Sequence, residues 1–124
     1  MLSDQQCVFT HNLAKLILKI VGFGYETKIQ ELNRTLETQQ EYVKSGKSKT
    51  LNSKHLDKLA ADIVIFKNGV AILSGPEYRP LGEFWESLGG RWGGRFGLED
   101  QPKEVQDKEL GWDCCHFEYN GKMG

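Results

Sequence analysis

Apolar residues first recur at helical spacing at Leu13, Leu16, Ile17, Ile20 and Val21, behind the polar Thr10-His11-Asn12, until Gly22 and Gly24 end the run. The pattern predicts a helix over about residues 10 to 21. Tyr25, Thr27, Ile29 and Leu32 then sit among polar neighbours as in a half-buried strand, with a shift of face near its end. Thr35 is placed to cap a second helix through Leu36, Tyr42 and Val43, stopped by Ser45-Gly46, and residues 47–54 form a polar loop.

The strongest local pattern spans residues 62–73. Two apolar runs flank Asn68-Gly69, a pair that favours the tight turn of a hairpin. Pro80 opens a short helix whose face is Phe84, Trp85 and Leu88 and whose end is Gly89-Gly90. A glycine-rich, aromatic loop follows, and residues 98–110 are charged and without period, as a solvated excursion would be. The last strand is expected over residues 115–119. These elements predict an α+β fold, a small and mostly antiparallel sheet with helices packed on one face.

Length and composition narrow the picture. A chain of 124 residues, with 39% hydrophobic and 27% charged residues, has the balance of one folded domain over residues 1–124 and is too apolar for disorder. Sixteen Lys and Arg against seventeen Asp and Glu leave no basic field for nucleic acid. The start, Met1-Leu2-Ser3-Asp4, lacks a secretory pattern and no stretch has the length of a membrane span, so a cytoplasmic origin without membrane insertion is expected. Three cysteines, two of them adjacent, suggest no disulfide framework.

The chemistry concentrates at the histidines. Of His11, His55 and His116, the last two lie near carboxylates at the beginnings of predicted strands, and His55 precedes Asp62 by seven residues. Two imidazoles and one carboxylate suit Zn2+, and three protein ligands leave a position open for catalysis. A carboxylate must still take a proton from the attacking water and pass it to the leaving amine, and Asp113 is the candidate. Because Asp113 lies three residues before His116, sharing one site requires a bend at Cys114-Cys115. Arg34 is the candidate cation for the oxyanion and for a peptide carboxylate. Glu118, on the strand face of His116, is either an orienting partner for that ligand or an ordinary surface acid. Trp85, Trp92 and Trp112 either line a cleft or fill the core.

Ser53-Lys54-His55, Ala61-Asp62 and Trp112-Asp113-Cys114-Cys115-His116-Phe117-Glu118 together resemble the signature of the D-alanyl-D-alanine carboxypeptidase-like zinc peptidases. More narrowly, the chain resembles the phage endolysin L-alanyl-D-glutamate peptidase branch, over about residues 9 to 119. Glu31-Leu32-Asn33-Arg34-Thr35, Gln39-Gln40 and Trp92-Gly93-Gly94 belong to the likeness. The resemblance implies that His55, Asp62 and His116 bind zinc, that Asp113 is the general base, that Arg34 steadies substrate and oxyanion, and that Ser53 contacts substrate. Many relatives carry Glu where Asp113 stands, whereas Asp is usual in this branch. The Cys114-Cys115 pair is a departure: a thiol beside a zinc site either competes for metal or is a small buried side chain.

The expected activity is zinc-dependent hydrolysis of a peptide bond in peptidoglycan stem peptides, L-alanyl-D-glutamate above others, by a phage or prophage endolysin. Such an enzyme is made in the cytoplasm of a bacterial host and acts on the wall after release, or is carried by the virion. A monomer is expected, with peptidoglycan peptide as its partner. The alternatives are a D-alanyl-D-alanine carboxypeptidase or cross-link endopeptidase, and a zinc-stabilised module that binds wall peptides without cutting them.

Overall fold

The computed structural model describes residues 2–32, 36–45 and 59–123. Helix α1 spans Leu2–Gly22, strand β1 Glu26–Glu31 and helix α2 Leu36–Ser45. Strand β2 (Ala60–Lys67) and strand β3 (Val70–Ile72) form the hairpin. Helix α3 (Arg79–Ser87), strand β4 (Arg91–Trp92), helix α4 (Lys103–Lys108) and strand β5 (His116–Glu118) complete the order. Among the described residues, no helix is long and apolar enough to cross a membrane.

The expected hairpin is present. Asn68 and Gly69 both take positive φ, 53° and 77°, the conformation that a two-residue turn matching the strand twist requires. β1 pairs antiparallel with β2, and its register slips between Ile29 and Glu31, where the sequence pattern changes face. Along the other edge of β2, β3 pairs with residues 65–67 and β5 with residues 60–62, both antiparallel. β5 then pairs antiparallel with β4. The fold is α+β with a small antiparallel sheet. In the fork between β3 and β5, the buried Tyr78 hydroxyl accepts from the Ile65 N–H and reaches the carbonyl oxygens of Ile72 at 2.6 Å and Ile63 at 3.0 Å.

Alternation along β2 and β5 gives the sheet two chemically different faces. Ala61, Ile63, Ile65 and Phe117 join Phe9, Leu13, Leu16 and Ile20 of α1 and Leu81 and Trp85 of α3 in one core. Edge-to-face contacts run from Phe9 to Trp85 (5.7 Å) and from Trp85 to Phe117 (6.0 Å). Asp62, His116 and Glu118 lie on the alternate positions of the same strands.

Three expectations need correction. α1 begins at Leu2, well before residue 10, because its polar residues bond back instead of capping. Thr10 Oγ1 donates to the Gln6 carbonyl (2.9 Å) and Asn12 Nδ2 to that of Val8 (3.0 Å), so the helix continues through them. Residues 98–110 contain α4, which buries no residue and is fastened by cations, leaving no apolar period to read. Arg95 donates to the Gln106 carbonyl at 2.9 Å, and Arg79 to those of Gln106 and Glu109 at 3.1 and 2.8 Å. The glycine-rich loop contains β4, a two-residue strand too short for a recognisable alternation.

Candidate metal centre

Asp62 on β2 faces His116 on β5 directly across the ladder. Their side chains meet, with His116 Nδ1 3.1 Å from Asp62 Oδ1. The other ring nitrogen, Nε2, lies 2.8 Å from Glu118 Oε1. His116 and Glu118 are buried, at 7% and 6% exposure. An ionised carboxylate only accepts, so with no metal bound each ring nitrogen carries a hydrogen, Nε2–H directed at Glu118 and Nδ1–H at Asp62. Of the two readings of Glu118, the orienting partner is the one with this geometry.

The bend that the sequence demands before His116 is a tight turn. The His116 N–H closes onto the Asp113 carbonyl at 3.1 Å, which brings Asp113 Oδ2 to 3.8 Å from His116 Nδ1. Gly93 makes room for it, because a Cβ there would stand 2.0 Å from the Asp113 oxygen and 2.9 Å from His116 Cβ. Two buried indoles hold the strand from the core side. Trp92 Nε1 donates to the Cys114 carbonyl (2.7 Å) and Trp85 Nε1 to that of Glu118 (2.9 Å), bracketing His116. Trp85 and Trp92 are thus core residues, whereas Trp112 is 59% exposed and packs against Phe96.

Asp62, Asp113 and Cys115 form a possible metal-binding group, with one donor atom from each lying within 4.8 Å of the others. Cys115 is half-buried, and burial followed by the charges of Asp62 and Asp113 pushes its thiol up to about 12. A thiol held so firmly protonated is a poor nucleophile. Cys114 points into the core.

The electrostatics of the centre favour a cation at Nδ1. Burial pulls the His116 imidazole down, but hydrogen bonds to Asp62 and Glu118 and the charges of Asp62 and Asp113 outweigh it and raise the group to about 9. Burial pushes the Glu118 carboxyl up, yet His116 and Arg91 hold it below the ordinary carboxylate value. Without metal, therefore, the aspartates gather a proton where a divalent ion would supply charge. Two carboxylates and a thiol lie within reach of one point, and the His116 imidazole adjoins both carboxylates; these are donor types that zinc accepts.

Of the residues singled out in the sequence, Asp62, Asp113 and His116 are brought together. His55, Arg34 and Ser53 lie outside the described residues. The sequence gives little notice of the surrounding layer. Phe96 packs its ring 5.3 Å from the imidazole, and Arg91 reaches Glu118 across β4 and β5. Strand pairing with a two-residue strand is what places Arg91 there, and no pattern announces such a strand.

No protein-family model matches the sequence, and no curated protein matches it. A solved structure, that of Serratia marcescens L-Ala D-Glu endopeptidase ChiX, aligns over 95% of this chain and 85% of its own, with a TM-score of 0.65 and 22% identity. The two chains share a fold. The likeness to ChiX is one of architecture, and the side chains at the centre are read from this chain alone.

Proposed function

We propose that this chain is a zinc-dependent peptidase that hydrolyses a peptide bond in peptidoglycan stem peptides, L-alanyl-D-glutamate in the first instance, as a phage or prophage endolysin. The observation that carries the reading is the meeting of Asp62, Asp113 and buried His116 on one sheet face, in a fold shared with an L-Ala D-Glu endopeptidase. Asp62 and His116 Nδ1 would hold the ion together with His55, the third donor that the sequence resemblance supplies. Zinc, when bound, supplies Lewis acidity that activates water and polarises the attacked carbonyl.

The protein's own residues supply the rest. Glu118 fixes the His116 ring and its tautomer by accepting from Nε2–H. Asp113, 3.8 Å from Nδ1 and partly open to solvent, takes the proton of the attacking water and delivers it to the departing amine. Arg34 steadies the developing oxyanion and Ser53 contacts the substrate, both as the resemblance implies.

Purified peptidoglycan incubated with the zinc-loaded protein should release new free amino groups, and none once a chelator has removed the metal. Mass spectrometry of the products should show glutamate as the new amino terminus. Wall peptides that bind with zinc present but never yield an amine would replace the enzyme with a binding module.

A further inference from the structure

The contacts around His116 continue one residue outward to a cation. Arg91 stands opposite Glu118 in the β4–β5 register, with Nη1 3.4 Å from Glu118 Oε2. Its Nε and Nη2 grip the two carboxylate oxygens of Glu99. The guanidinium carbon also lies 4.4 Å from the centroid of the Phe96 ring, and that ring packs against the imidazole. One planar cation therefore touches both a group that binds Nε2 and a group that covers the ring.

We infer that Arg91 is a positioning residue for His116. It holds Glu118 Oε2 so that Oε1 stays directed at Nε2–H, and it holds Phe96 against the imidazole, so that Nδ1 keeps its aim at Asp62 and Asp113. The role in metal binding rests on the reading of His116 as a zinc ligand. The positioning does not. Glu118 is buried at 6% exposure and needs a fixed counter-charge, whereas Arg91 is reachable from solvent and replaceable without opening the core. A guanidinium suits both tasks, since its fork binds carboxylates and its plane stacks on a ring.

The test compares Arg91→Gln and Arg91→Lys by two readouts. In metal-free protein, the Nε2–H resonance of His116 should be visible by NMR in the parent chain, broadened by exchange with water in Arg91→Gln, and only partly recovered in Arg91→Lys, which keeps the charge but not the fork or the plane. In chelator competition, Arg91→Gln should weaken zinc binding by about 3- to 10-fold, below the span of about 10- to 100-fold for a direct outer partner. In a Glu118→Gln background, Arg91→Gln should weaken it by less than in the parent chain, because only the contact through Phe96 is then left to lose. An unchanged resonance with unchanged zinc affinity overturns the inference, and so does an equal loss in the Glu118→Gln background. If the parent chain takes up no zinc while the resonance responds as described, the positioning stands and the metal reading fails.

Discussion

Asp113 and Glu118 touch the same imidazole at different atoms, and that difference separates their predicted phenotypes. Asp113→Asn removes the proposed base and leaves Asp62, His116 and His55 as donors, and a simultaneous loss of zinc would make Asp113 a ligand, as its place beside Asp62 and Cys115 allows. Cleavage should fall by about 10²- to 10⁴-fold while zinc content, measured by elemental analysis, stays at that of the parent. Glu118→Gln should do the reverse, weakening zinc by about 10- to 100-fold in chelator competition because His116 loses its orienting acceptor. The metal-free protein should also carry a pH signature. An unfolded chain titrates His116 near 6.5 and the folded one near 9, so its contribution to stability is complete below the lower value and is lost as pH rises to the upper. Denaturant midpoints should fall across that window, and His116→Gln should flatten the fall. Zinc needs the neutral ring, so its affinity should rise over the same span.

At the scale of elements, what the sequence could show depended on whether packing or polar fastening made each piece. The hairpin was legible because Asn68-Gly69 and the apolar runs beside it state turn and strand together. The bend before His116 was legible as a need, since Asp113 and His116 could share a site only through one. α4 and β4 were not legible, because arginine-to-carbonyl bonds and a two-residue pairing leave no periodicity. The sequence therefore showed Asp62, Asp113 and His116 but not Arg91, whose position depends on β4. Gly93 is the element-scale test of the site. Gly93→Ala forces a methyl group onto the Asp113 carbonyl and against His116, which should cost about 1–3 kcal/mol in urea unfolding and weaken zinc binding as well. Gly22→Ala, at the end of α1 with nothing within 4 Å of the added methyl, is the control and should leave zinc affinity unchanged.

Over the whole molecule, the sheet divides the labour: α1 and α3 bury one face around Trp85 and Phe117, and the other face carries the carboxylates and imidazole. Stability and chemistry thus meet at β5, whose backbone is held from the core while His116 and Glu118 project from the opposite face. If zinc binds the folded chain alone, a free concentration one hundred times its dissociation constant adds about 2.7 kcal/mol, and the melting temperature should climb with added metal. The most direct measurement is muropeptide mass spectrometry after incubating peptidoglycan with zinc-loaded, chelator-stripped and zinc-restored protein. The account predicts peptides with a new amino-terminal glutamate in the first and third samples and none in the second. Equal cleavage by stripped protein, or intact peptides in all three, would contradict it.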